Sequence, residues 1–400
     1  MAKDKRHPAP IDRSRLCTER PFEGGPITDR PVTVYDTTLR DGEQTPGVAF
    51  TPDMKVAIAQ ALDDAGVHQI EAGFPAVSAT EREAIGRIVD MGLKAEILVL
   101  TRLTREDIDA AVDVGADMAL LFIGTSRLHM EHKHRMSEDS VLDSVRMALD
   151  YARARGIRAS FTPEDATRTE WAFMQRLFTT AIEHGAYRLG FADTVGCATP
   201  EATTALVSRL KAMTDLPISL HMHNDFGLGL ANALAGVRAG ATAVSTTVAG
   251  LGERTGNVPL EQFVCAMRYL YGVDIGVDTT RLTGVARLVE QCSGRPVPDN
   301  QPIVGRGAFA HESGIHIAAV RREPATYEAI RPEDVGNERR FLLGKHTGRH
   351  AVEALLATRG LRLGEEDVSR LVTMVKVEGE RNGRVREEDF WDMVAGLAGL

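Results

Sequence analysis

VTVYDTTLRDGEQT, residues 32–45, is the stretch that decides the fold. Its opening, Val32 to Tyr35, has the β-branched and aromatic composition of a strand. An open doubly wound sheet would normally place a glycine-rich phosphate turn after its first strand. Here that position reads DTTLRDGEQT, a charged segment in which Arg40, Asp41 and Glu43 follow the strand directly. A closed barrel, whose strand ends carry the chemistry, is therefore favoured.

Reading outward from this stretch, seven more short β-rich runs follow before about residue 250: HQIEAG from His68, EILVLT from Glu96, MALLFIG from Met118, RASFTPE from Arg158, RLGFADT from Arg188, PISLHMH from Pro217 and AVSTTVAG from Ala243. Segments of helical periodicity separate them, and this βαβα rhythm is the sign of a parallel sheet. A glycine such as Gly66, Gly115, Gly156, Gly185 or Gly240 closes many of those segments just before the next strand. After about residue 285, SGRPVPDNQPIVGRGAFAHESG breaks the rhythm with glycines and prolines, and helical patterns resume in RHAVEALLATRGL, EEDVSRLVTMVKV and REEDFWDMVAGLAGL. The reading is an α/β protein: a polar N-terminal tail over 1–30, a (β/α)8 TIM barrel over 31–285, a linker and lid over 286–345, and a small, mainly helical C-terminal subdomain over 346–400.

Composition narrows the function. Hydrophobic residues at 43% and charged residues at 26% are ordinary for a folded globular chain, and a net charge of -9 with interspersed signs offers no basic stripe for nucleic acid. No apolar h-region opens the chain and no run of membrane-spanning length follows, so neither secretion nor a membrane is expected. Cys17, Cys197, Cys265 and Cys292 lack any paired spacing. They read as free thiols of a cytoplasmic protein.

Polar residues crowd the expected strand ends: Arg40, Asp41, Glu71, Arg102, Ser126, Glu164, Thr194, His221 and His223. The sharpest signal is His221 with His223, because a spacing of two on a strand points both imidazoles to one face. An isolated pair of this kind is as often structural as metal-binding. Asp41 from the first strand and Asn257 in GLGERTGN after the eighth add one anionic and one neutral oxygen, which makes a divalent metal site the better reading. GLGERTGN lacks dinucleotide-loop spacing, and LLGKHTGRH lacks that of a phosphate-binding loop.

DTTLRDGEQT, EAGFP, FADTVG, HMHND, GLGERTGN, HESGIH and LGKHTG, in this order from Val32 to Gly348, resemble the homocitrate synthase and 2-isopropylmalate synthase family. The resemblance implies a Claisen-type condensation of acetyl-CoA with a small 2-oxo acid, then thioester hydrolysis to a 2-hydroxy, alkylmalate-type acid and CoA. It implies that Asp41, His221, His223 and Asn257 hold the divalent cation (Zn, Mn or Mg) and that Arg40 counters the developing alkoxide. His316 of HESGIH becomes the base, with Tyr327 and Glu164 completing its relay, and a homodimer is implied in which the partner subunit delivers His316 and Tyr327. Glu71 and Thr194 match substrate-orienting positions; Arg102 and Ser126 are weaker assignments to the same pocket. A carboxy-terminal effector domain, as in leucine-regulated relatives, is not expected.

FADTVGCATP is closer to homocitrate synthases, since isopropylmalate synthases usually place proline at Ala192 and tyrosine at Cys197. That favours 2-oxoglutarate. Ser160, however, stands where lysine-pathway homocitrate synthases carry an arginine that contacts the oxo acid. Phosphonopyruvate, oxaloacetate, 2-oxoisovalerate and pyruvate stay open as substrates. A metal-dependent acyl-CoA lyase or aldolase and a non-catalytic metal-binding barrel are the other readings.

Overall fold

Eight parallel strands close on themselves in chain order: β1 (Thr33–Asp36), β2 (Gln69–Gly73), β3 (Glu96–Arg102), β4 (Met118–Gly124), β5 (Arg158–Glu164), β6 (Arg188–Asp193), β7 (Ile218–Met222) and β8 (Ala243–Thr246), which pairs back onto β1. Each of the eight expected runs supplies one strand. The structure, a computed structural model, describes residues 11, 15–17, 27–383 and 385–398, so most of the expected tail over 1–30 lies outside the described residues.

Helices α1 (Pro52–Asp64), α2 (Ala79–Asp90), α3 (Arg105–Asp113), α4 (Glu138–Ala154), α5 (Trp171–Glu183), α6 (Pro200–Lys211), α7 (Gly229–Arg238) and α8 (Leu260–Cys265) follow the successive strands. Thr51, Ser78, Thr104, Ser137 and Thr199 start five of them, each hydroxyl accepting the amide three residues on. The barrel interior is packed by Tyr35, Leu98, Met118, Leu120 and Ala243. Below the mouth it is therefore a core and not a channel.

The chain divides into two units: Pro21–Val297, and Pro298–Leu400 with the described residues of Met1–Arg20. Helix α9 (Leu282–Ser293) runs through residue 285, where the sequence reading ends the barrel, because Leu282, Val285, Ala286 and Val289 form one buried stripe. It packs on α1. In the smaller unit, β9 (Ala310–His311) pairs in parallel with β10 (Arg340–Phe341), and α10 (Gly314–Arg322), α11 (Arg349–Thr358), α12 (Glu365–Asn382) and α13 (Glu387–Ala398) enclose Ile317, Leu356, Leu371, Val375 and Phe390. No described helix is long and apolar enough to cross a membrane.

One buried cation fixes the loop that carries Arg40 and Asp41. Lys55 of α1, 1% exposed, donates to the Leu39 carbonyl at 3.0 Å and pairs with Glu43 and Glu81 at 2.7 Å each. Lys55→Met leaves those carboxylates without a shared cation in a largely buried setting. It is expected to cost about 3–5 kcal/mol in urea unfolding.

Candidate active site

Beyond β1 the backbone turns sharply: the amides of Arg40, Asp41 and Gly42 all point at the Thr37 carbonyl, at 2.8–3.1 Å. Buried Asp36 clamps the turn, accepting from the Thr38 amide at 2.9 Å and the Thr246 hydroxyl at 3.2 Å, while Thr38 Oγ1 accepts the Val248 amide at 2.8 Å. The clamp ties β1 to the end of β8. Arg40 and Asp41 are thereby held at the barrel mouth.

On β7, His221 directs Nδ1 to the Ser245 hydroxyl of β8, 3.1 Å away, and its Nε2 lies 3.2 Å from Nε2 of His223. His223, just past the strand, forms a bridge with Asn257 of the glycine-rich loop. That loop folds back on itself at Gly256, whose φ is +83° and where a Cβ would stand 1.8 Å from the Gly250 carbonyl oxygen. Only glycine permits this approach. The tight fold delivers Asn257 beside the histidines.

Three donor groups converge. Asp41 Oδ2 lies 3.3 Å from His221 Nε2 and 3.9 Å from His223 Nε2, and donor atoms of all three residues fall within 4.8 Å of one another. Burial opposes ionisation of Asp41, but Arg40 and then His221 overcome it and hold the carboxyl well below the usual carboxylate range. Burial, and then the adjacent His221, push His223 down to about 3, so it stands as a neutral imidazole with one ring lone pair to give. Asn257 Nδ2 donates to Asp41 Oδ1 at 3.1 Å, leaving Asn257 Oδ1 buried without a partner, as is His223 Nδ1. Two nitrogens, an anionic oxygen and an orphaned amide oxygen fit a divalent cation. Asn257→Ala is expected to weaken metal affinity about 10- to 100-fold in a chelator competition titration.

Arg40 borders this set. Its Nε and Nη2 donate to the two oxygens of fully buried Glu71 at 2.6 and 3.1 Å, and its Nη1 donates to Asp41 at 2.6 Å. Thr194, after β6, accepts the Asp165 amide at 2.8 Å, which leaves its hydroxyl hydrogen free to donate. Glu164 closes β5, with both oxygens 2.7 Å from Lys133 Nζ. Ser160 is buried on the same strand face and its hydroxyl has no partner.

Arg102 and Ser126 make local contacts of their own. Arg102, more than half exposed, is bidentate to Asp107 of α3 at 2.8 and 2.9 Å. Ser126 accepts the His129 amide at 3.2 Å. His316 and Tyr327 belong to the smaller unit, where their ring centroids lie 4.2 Å apart and both are exposed. Sequence reasoning missed Ser245, Lys133 and Arg254, the partner of Asp225. Arg254 grips both Asp225 oxygens at 2.8 and 3.0 Å and the Thr194 carbonyl at 2.6 Å, joining three strand-end loops.

The sequence matches the HMGL-like family over residues 31–289 and the homocitrate synthase post-HMGL domain-like family over 303–383. The chain belongs to the HMGL-like family. Within it, homocitrate synthase AksA of Methanopyrus kandleri is 50% identical over 366 residues, 92% of each chain. A probable 2-isopropylmalate synthase of the same organism is 47% identical over 350 residues, 88% of this chain and 70% of that one. Both of these relatives are named as synthases. An HMG-CoA lyase of Bacillus subtilis, 22% identical, superposes with a TM-score of 0.61 over 67% of this chain and 95% of its own, and so shares the fold.

Proposed function

We propose that the protein condenses acetyl-CoA with a small 2-oxo acid and hydrolyses the resulting thioester, releasing CoA and a 2-hydroxy, alkylmalate-type acid. The observation that carries this reading is the buried set of Asp41, His221 and His223 with Arg40 bonded into it. A divalent cation (Zn, Mn or Mg) on that set would supply Lewis-acid polarisation of the ketone.

The protein's own groups do the rest. The guanidinium of Arg40 has five N–H groups, of which three are committed to Glu71 and Asp41, so two remain for the oxo acid. Because Glu71 and Asp41 fix it before substrate arrives, its charge meets the developing alkoxide without reorganisation. Thr194 donates its free hydroxyl hydrogen to the substrate carboxylate. His316, stacked against Tyr327 and exposed on its unit, takes the proton from the thioester methyl, Tyr327 and Glu164 complete its relay, and a second copy of the chain delivers the pair in a homodimer. The new carbon–carbon bond joins the former methyl to the keto carbon; water then attacks the thioester carbonyl, and the CoA thiol leaves. We place the reaction in the cytoplasm, where thiols such as those of Cys197, Cys265 and Cys292 stay reduced.

Among oxo acids, 2-oxoglutarate is the substrate we assign, in line with the homocitrate synthase relative at 50% identity. Thiol release from acetyl-CoA, measured with the purified metal-loaded protein over a panel of 2-oxo acids, tests the assignment. Release with 2-oxoglutarate is expected; no thiol with any oxo acid would overturn the condensation.

A further inference from the structure

The connection after β4 is built unlike the other strand–helix loops. Residues His129–His134, HMEHKH, form a single π-helical turn, and Arg135 ends it in the left-handed region at φ 54°. Such turns and such backbone angles are unfavourable and concentrate at functional sites. Gly124, the last residue of β4, admits the turn: a Cβ there would stand 2.5 Å from His129 Nδ1 and 2.8 Å from His134 Nε2. The turn is seated directly on the strand end, and the Gly124 amide donates to His134 Nε2 at 3.2 Å.

This seating brings basic groups over the end of β5. Lys133 Nζ lies 2.7 Å from each oxygen of Glu164. His129 stands 3.8 Å from Glu164 and 3.7 Å from Asp165, and its Nδ1 is buried without a hydrogen-bond partner. Below Glu164, the same face of β5 carries the hydroxyls of Thr162 and Ser160, then Arg158 at the opposite end of the strand, paired with Glu96 at 2.9 Å; Ser160 Oγ has no partner. Gly190 of β6 makes the room, since a Cβ there would meet Thr162 Oγ1 at 1.8 Å. Two neighbouring arginines are occupied, Arg102 by Asp107 and Arg168 by Asp165, and Arg188, beside Ser160 in the register, is buried over the Tyr35 ring and donates to Gln69 at 2.8 Å. Lys133 already holds one carboxylate through both oxygens.

We propose that Lys133, presented by the His129–His134 turn, binds a second anionic group on the 2-oxo acid and so selects a dianionic substrate. The inference rests on the condensation reading above. An incoming carboxylate or phosphonate exchanges with Glu164 at the ammonium, like for like, while His129 Nδ1 and the β5 hydroxyls supply further polar contacts. The exchange also releases Glu164 for the relay. Lys133 thus stands in for the fifth-strand arginine whose position Ser160 occupies.

The test compares Lys133→Met with wild type on dianionic oxo acids (2-oxoglutarate, oxaloacetate, phosphonopyruvate) and monoanionic ones (pyruvate, 2-oxoisovalerate), by thiol release and by calorimetric binding of each oxo acid to the metal-loaded protein. The preference for dianionic over monoanionic acids is expected to fall about 10- to 100-fold in kcat/KM and in affinity, with Lys133→Arg restoring most of it. Lys133 is 47% exposed, so its replacement leaves the core untouched. An equal loss on both classes would reduce Lys133 to a support for Glu164, and a loss confined to the KM for acetyl-CoA would assign it to the CoA phosphates; either overturns the proposal. So does a wild type that binds and turns over only monoanionic acids, an outcome that leaves the condensation standing. Absence of thiol release with every acid, alongside intact dianion-selective binding, would instead sink the condensation and keep the site.

Discussion

His223→Ala is expected to remove the metal and nearly all turnover together. The site offers two imidazole nitrogens, one carboxylate and the Asn257 amide oxygen, and deleting one imidazole leaves Asp41 and His221 with only a neutral amide oxygen beside them, too weak a set to hold a divalent ion against water. Lewis-acid stabilisation is worth several kcal/mol, so kcat should fall by on the order of a thousandfold at about 1.4 kcal/mol per tenfold. Elemental analysis of the purified variant checks the cause. Metal content equal to wild type would show that His223 is not a ligand, whatever the activity did.

Arg40→Lys should leave the metal bound and still lower kcat/KM by about 100- to 1,000-fold. Lysine keeps the charge but loses the fork that engages Glu71 at two points and Asp41 at a third. The ammonium would pair with fully buried Glu71 and withdraw from the alkoxide position. Kinetics and metal analysis on the same preparation separate the roles: a loss of only a fewfold would make Arg40 a structural counter-ion of Glu71.

The barrel was legible because its signals are local. Most β-rich runs carry charged or hydroxyl residues at or just beyond their ends and many helical segments stop at a glycine, so the eight βα units can be counted without long-range information. The histidine pair was legible for the same reason, as strand parity alone sends His221 and His223 to one face. Ser245 obeys that parity too, and reading AVSTTVAG for inward positions would have found the partner of His221 Nδ1.

Other parts depend on what the chain does far from itself. Arg254 meets Asp225 across 29 residues and Thr194 across 60, pairings fixed only once the barrel closes. HMEHKH hides its role because a π-helical turn follows neither the 2-residue nor the 3.6-residue period, so no periodic reading could place Lys133 on Glu164. Arg102 sits at a strand end as expected, yet Asp107, five residues on at the start of α3, captures its guanidinium. Strand-end position identifies who can reach the mouth; local competitors decide who does.

The central claim is that the thioester methyl becomes a carbon nucleophile toward a ketone. Incubating the metal-loaded protein with trideuteromethyl acetyl-CoA and 2-oxoglutarate, with mass spectrometry of the product and thiol titration, tests it most directly. The account predicts a hydroxy tricarboxylic acid retaining two of the three deuterons, one thiol released per molecule formed. Fully deuterated acetate with unchanged 2-oxoglutarate would contradict it.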